Sequence, residues 1–405
     1  MEELIQHLTP LLGEVTGYIF PNEIELHWGL LVVIYPYLTG LVAGAFILAS
    51  LVKVFNVKEL QPTYRLSLLT ALAFLIIAPL PLLAHLGHPE KSFEIFLTPN
   101  KNSAMAMFGF VYAWYLMAVL LLELWFDFRK DLIVMGNESK GIKKWFYKTV
   151  SLFSTDISDK AVAFDHKAVH IITVIGIPSA FLLHGYVGFI FGSIKANPWW
   201  SSVLMPIVFL FSAIVSGIAL VLMLYMIITP LRKKQIDMVC LDKLASYLFY
   251  IMIIDFSLEI LDFIHRVYES EESIKILASM VQNKLFSSLV IMQVIMGMIV
   301  PLFTIAGVKL FKVPGDLRKL LYFVSAILIQ VGIFSTRWNV VIGGQLFSKS
   351  FMGLTTYKMT FFGLEGLLVS IALLIVPFIN LWILIKILKP WKAEEGLSLP
   401  QASVS

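Results

Sequence analysis

Charge is scarce in this chain. Asp, Glu, Lys and Arg make up 14% of its 405 residues, against about 25% in soluble domains. Cysteine is scarcer still, with Cys240 standing alone. One thiol supplies neither an intrachain disulfide nor the cysteine set of an iron–sulfur cluster. Any cluster must belong to a partner. A net charge of +4 is too slight to point to nucleic acid. The first 28 residues hold no Lys, no Arg and no long apolar core, so no signal peptide is expected.

What is present is apolar surface. Hydrophobic residues make up 59% of the chain, and the mean hydropathy is +0.85. Runs of about 20 apolar residues, enough to cross a bilayer, occur at 29–52, 64–86, 104–126, 168–191, 203–229, 244–266, 283–308, 319–338 and 360–388. The sequence therefore predicts an all-α polytopic membrane protein of about nine transmembrane helices. Eight or ten stay open, because the ends of 319–338 are polar. With the N-terminus outside and the C-terminus inside, 22 of the 31 Lys and Arg fall on inner segments. That asymmetry sets the expected orientation.

The flanks are read as membrane-surface pieces. In segment 1–28, Leu4, Ile5, Leu8, Leu11, Leu12 and Val15 have the spacing of an interfacial helix. Segment 142–153 is a basic surface helix. The tail 389–405 is polar and loose after Pro390.

A short pattern recurs. Aligning Gly44 with Gly217 superposes Thr39, Gly40 and Ala43 on Ser212, Ala213 and Ser216. Small residues four apart let helices approach closely. The match predicts two four-helix bundles, 29–191 and 203–338, related as a parallel repeat, with 360–388 as an additional helix.

Polar chemistry concentrates in two places. Within 244–266, Asp255, Glu259, Asp262 and Arg266 fall in an arc of roughly 60° on one helix face. A charge at mid-bilayer costs about 2.5–3.5 kcal/mol on insertion scales, so this stripe must face partners or water. Asp255, Glu259 and Asp262 are candidates for a proton path. The plainer reading is a structural ion pair with Arg266 or Arg337. The second place is the outer half, which gathers His27, Trp28, Tyr35, Tyr37, His85, His88, His184, Tyr186 and His265, with Gln330 nearby and Glu365 early in 360–388. Imidazole and phenol groups can hydrogen-bond the carbonyls of a quinone and pass protons. Tyr35, His184, Tyr186, His27 and His85 are therefore candidate quinone contacts. The competing readings are an aromatic belt for the tyrosines and solvated helix ends for the histidines. Glu123 lies near the inner surface and is read as solvated. A di-haem arrangement is disfavoured, because His166 and His170 share one helix edge. One outer haem between His27 or His85 and His184 stays open. No metal-ligand set is assigned.

Several elements together resemble the NrfD/PsrC family, the integral-membrane subunits of polysulfide-reductase-like respiratory complexes. They are YPYLTGLVAG in the first span, HLGHPEKSFEIFLTPNKNSAMAMFGF after the second, HGYVGFIFG ending the fourth, and NPWW leading into SAIVSG. The resemblance spans roughly 27–340. It implies two four-helix bundles in the inner membrane of a prokaryote and a quinone pocket, for menaquinone, near the outer face. It also implies an outer-face iron–sulfur, ferredoxin-like partner, a c-type cytochrome or other redox subunits, and electron exchange with them. No haem or cluster is implied in this chain itself. Tyr186 matches the family's quinone-contacting tyrosine. Tyr35 falls where polysulfide reductase's own membrane chain has a histidine, and His88 replaces the arginine of an LGRP element. The ninth helix departs from the eight-helix version and is most similar to the membrane subunit of the DsrMKJOP complex or its Hme relative. Two rivals follow from the residues alone: a secondary transporter with proton-coupling carboxylates, and a purely structural anchor. Against the transporter, no helix pair is broken by Gly or Pro at matching mid-membrane positions.

Overall fold

The computed structural model describes residues 15–269 and 273–391. Among these, nine helices are long and apolar enough to cross a membrane: α1 (Leu30–Lys53), α2 (Lys58–His85), α3 (Ala106–Glu138), α4 (Asp159–Gly192), α5 (Met205–Leu231), α6 (Met238–Tyr268), α7 (Ile274–Leu310), α8 (Gly315–Gln345) and α9 (Leu367–Leu388). A surface helix, Gly141–Val150, follows α3. Strands β1 (Thr16–Tyr18) and β2 (Met352–Leu354) pair antiparallel, with Gly17 opposite Gly353.

Every predicted span lies on one of these helices, and the ends differ for physical reasons. Helix α4 starts nine residues before its apolar run, at Asp159, because Ser158 caps it by accepting from the Ala161 amide. The apolar run 360–388 becomes helical only at Leu367. Gly363 has a φ of 97°, a left-handed conformation that interrupts a right-handed helix. Glu365 therefore precedes α9, where the apolar run suggests a place inside it. The predicted helix over Leu4–Val15 lies, but for its last residue, outside the described residues, and so does the tail beyond Trp391. The start of that tail is docked. Arg232 sits 3.9 Å over the Trp391 ring, and Arg65 donates to the Pro390 carbonyl at 3.3 Å.

Helices α1 and α5 form the centre. They are the most buried of the nine, and their contact is backbone on backbone. A Cβ on Gly217 would stand 2.4 Å from Gly44 Cα, and one on Gly44 would stand 2.1 Å from the Ala213 carbonyl oxygen. Outer helices show the reverse pattern. On α6, Asp255 and Asp262 are buried, while Ile253, Ile254, Leu261 and Ile264 are exposed. An apolar exterior over a polar interior suits hydrocarbon as solvent.

The helix ends sort into two layers. Lys53, Arg65, Lys243 and Arg318 gather at one end, here called the basic end, where they pair with Asp127, Asp131, Glu59 and Asp242. The β1–β2 pair and His27, His85 and Tyr357 lie at the opposite end. There Trp199 and Trp200 donate from their indole nitrogens to the Asn339 and Val340 carbonyls at 2.8 and 2.6 Å. These bonds fasten the α4–α5 loop to α8.

Candidate functional site

Three of the predicted quinone contacts come together where α1, α3 and α4 meet. Tyr35 is buried, and its hydroxyl has no hydrogen-bond partner within the protein. Its ring meets Phe108 edge-on at 5.7 Å, and Phe108 stacks on Tyr186 at 5.8 Å. The Tyr186 hydroxyl donates to the Ala104 carbonyl at 2.9 Å, just ahead of α3. His184 lies one helical turn deeper than Tyr35, against Thr39. The other two contacts stand apart. His27 is exposed, beside a small cavity at the end away from the basic one. His85 is bonded through Nδ1 to Glu365 at 2.6 Å.

His184 has a defined proton arrangement. Its Nε2 lies 3.2 Å from an Arg337 Nη2, and its Nδ1 lies 3.3 Å from Thr39 Oγ1. Guanidinium nitrogens only donate, so Nε2 must accept and Nδ1 carries the proton. Thr39 takes that proton's bond and donates onward to the Tyr35 carbonyl at 3.1 Å. The ring also stacks on Phe209 at 5.7 Å. Gly40 leaves room for it: a Cβ there would fall 3.2 Å from His184 Cε1. With both nitrogens engaged, ligation of a haem by His184 would cost at least one buried hydrogen bond. Among the described residues, no group of three or more His, Cys, Asp or Glu is placed to hold a metal ion.

Arg337 is the hub of the site. It is fully buried. One Nη2 donates to Ser212 at 2.6 Å and reaches His184, and the guanidinium lies 4.1 Å over the Phe209 ring. Its Nε and Nη1 make no hydrogen bond, yet its charge faces Asp255 and Glu259. The α6 carboxylates thus act electrostatically on the same guanidinium that hydrogen-bonds the His184 cluster. In the sequence, Arg337 reads as a span end and as an ion-pair alternative. Only the packing of α8 against α1, α5 and α7 shows its place.

Beyond Arg337 the stripe opens on a cavity of about 440 Å³ between α5, α6, α7 and α8. Its walls are mainly apolar, with Glu259, Asp262, Arg266, Gln293 and Asn339 among its polar members. Glu259 accepts from Gln293 at 2.8 Å through one carboxylate oxygen, and its other oxygen is unpartnered. Gln293 accepts from Asn339 at 2.7 Å, and Asn339 accepts from Ser288 at 2.6 Å. Asp262 is held by Arg266 and Ser202. Asp255 is the deepest of the three, with one oxygen unpartnered. The α7 segment carrying Gln293 is wound as a π-helix over Val281–Ile299.

Known proteins share much of this sequence. The family model described as "Polysulphide reductase, NrfD" matches residues 21–349. A chain of the selenate reductase of Mesobacillus selenatarsenatis, its C subunit, is 35% identical over 60% of this chain and 57% of its own length. The putative membrane C subunit of a dimethyl sulfoxide reductase of Halobacterium salinarum is 28% identical over 48% of this chain and 42% of its own. An Hdr-like menaquinol oxidoreductase integral membrane subunit of Archaeoglobus fulgidus is 22% identical over 85% of this chain and 77% of its own. The chain thus spans about half the length of the first two relatives.

Proposed function

The chain belongs to the NrfD family, and from that premise we propose that it is the quinone-reactive membrane subunit of a respiratory oxidoreductase complex. It is not active alone. Menaquinone or a similar quinone binds near Tyr35, His184 and Tyr186. The site lies toward the end opposite the basic one, which is the outer face if basic residues stay inside. The observation that carries this reading is the Arg337 hub, which joins a neutral imidazole to the α6 carboxylates within one packed unit. A quinone fits the residues present. The buried, unpartnered Tyr35 hydroxyl can donate to a ring carbonyl, and Phe108 and Tyr186 offer flat surfaces beside it.

Oxidation of a bound quinol supplies two electrons and two protons. The electrons pass to an iron–sulfur or cytochrome partner on the outer face, since the lone Cys240 excludes a cluster here. His184 holds its proton on Nδ1 against Thr39 and keeps Nε2 as an acceptor. Asp255, Glu259 and Asp262 carry protons along α6, with Gln293 orienting Glu259. The relatives named as reductase subunits support the class of complex; electron direction and terminal substrate are set by the partner.

Tyr186→Phe keeps the ring stack and removes the hydroxyl. Quinol-linked electron transfer in the purified complex is expected to fall, while the amount of protein in the membrane stays unchanged. Unaltered turnover would dismiss the site. Isolation in gentle detergent with metal, haem and quinone analysis separates this reading from a secondary transporter, which would purify without cluster-bearing partners.

A further inference from the structure

Glu123 does not fit the solvated role its sequence position suggests. It is completely buried on α3, between α2 and α4. It lies two residues past a stretch wound as a π-helix, Tyr115–Leu121. One of its oxygens, Oε2, has no hydrogen-bond partner, and neither has the buried hydroxyl of Tyr115.

Proton counting around Thr173 constrains Glu123. Thr173 Oγ1 lies 2.9 Å from Glu123 Oε1 and 2.8 Å from the Val169 carbonyl oxygen. A hydroxyl has one proton. Against an ionised Glu123 it can serve only one of these acceptors. If Glu123 carries a proton on Oε1, both bonds form: the carboxyl donates to Thr173, and Thr173 donates to Val169.

Charge matching agrees. The groups facing Glu123 are Lys53 from α1, Tyr64 from α2, Tyr115 and Asp127 from its own helix, and Thr173 from α4. Lys53 is committed to Asp127 at 3.3 Å. Arg65 is committed to Asp127 at 2.9 Å and Asp131 at 2.6 Å. Arg129 is committed to Asp165. Three cations thus meet three carboxylates near Glu123, and the remaining lysine in the cavity wall, Lys130, is exposed to solvent.

A route to this group exists. A polar cavity of about 530 Å³ at the basic end is lined by Lys53, Tyr64, Arg65, Asp127, Lys130 and His166, among others. Asp127 lies one helical turn from Glu123 on the same face of α3. The Tyr64 hydroxyl donates to Asp127 at 3.2 Å.

We propose that Glu123 is a proton-binding site, distinct from the α6 stripe, that exchanges protons with the aqueous phase at the basic end through the cavity bounded by Asp127 and Tyr64. Uptake forms the Glu123 O–H bond and leaves Thr173 free to serve Val169. Release returns the proton to water by way of Asp127. The inference uses no bound quinone, so its failure would leave the Tyr35–Tyr186 assignment standing.

The test is infrared difference spectroscopy of the full chain in liposomes on exchange from H2O to D2O at neutral pH. The wild-type protein is expected to show the carbonyl stretch of a protonated, hydrogen-bonded carboxyl that Glu123→Gln lacks. Asp127→Asn should keep that band and slow its deuterium shift, on the order of tenfold. Thr173→Val, which leaves the acid in place, should move the band to the position of a carboxyl without its partner. It serves as the reading if Glu123→Gln does not fold. The idea fails if Glu123→Gln retains the band, if Thr173→Val leaves it unmoved, or if exchange is as fast in Asp127→Asn as in wild type.

Discussion

Arg337→Met is expected to inactivate the protein and to lower its stability in detergent by about 1–3 kcal/mol, the usual cost of leaving buried hydrogen-bonding groups without their partner. Methionine approximates the volume but not the charge or the donors. Asp255 and Glu259 would then lack the cation they face. Ser212 would lose its donor, and His184 Nε2 would lose the bond that fixes its tautomer. Arg337→Lys separates the contributions. It keeps the charge near the carboxylates but cannot span Ser212 and His184 with a planar fork. It should recover most of the stability and little of the quinol-linked turnover. Thermal unfolding and turnover of the two variants side by side check this. A methionine variant as stable as wild type would show that Arg337 does not hold the two clusters together.

The parts of this architecture that were legible in the sequence are those one helix can encode. Apolar length gives the nine spans. Helical periodicity puts Asp255, Glu259 and Asp262 on one face, and that face turns inward as the cost of charge in hydrocarbon requires, with Asp255 and Asp262 buried and Glu259 half-buried in the cavity wall. What was illegible depends on neighbours. Glu123 sits four residues before Asp127, close to Arg129 and Lys130, and such a cluster reads as a helix end at the membrane surface. In the fold Asp127 and Lys130 line a protein-walled cavity beside α2 and α4, and Glu123, one turn deeper, is buried behind it. The residues at 360–366 are apolar enough to read as helix, yet the left-handed Gly363 stops them. His27, His85 and His184 look alike in sequence. Only packing separates an exposed loop, a hydrogen-bonded ring at a helix end and a fully buried ring.

The repeat pattern leads to the second large effect. The glycines that sequence alignment equates, Gly44 and Gly217, touch each other at the α1–α5 crossing. Gly217→Ala would put a Cβ 2.4 Å from Gly44 Cα and 2.5 Å from the Ala45 nitrogen. Those atoms are backbone, so no side chain can swing aside, and the two helices must separate. Both are central, and His184 and Arg337 pack around the same crossing through Gly40, Phe209 and Ser212. The expected loss is about 1–3 kcal/mol for alanine and more for leucine, with quinol-linked turnover falling in step. The control is Gly307→Ala on α7, where a Cβ meets nothing within 4 Å. There the better helix propensity of alanine should leave stability unchanged or raise it by up to about 1 kcal/mol. Gly44→Ala combined with Gly217→Ala should cost less than the sum of the two single changes, because one separation of the helices relieves both clashes. Additive losses in thermal unfolding would mean that the two glycines do not share a contact, and the central crossing as described would be wrong.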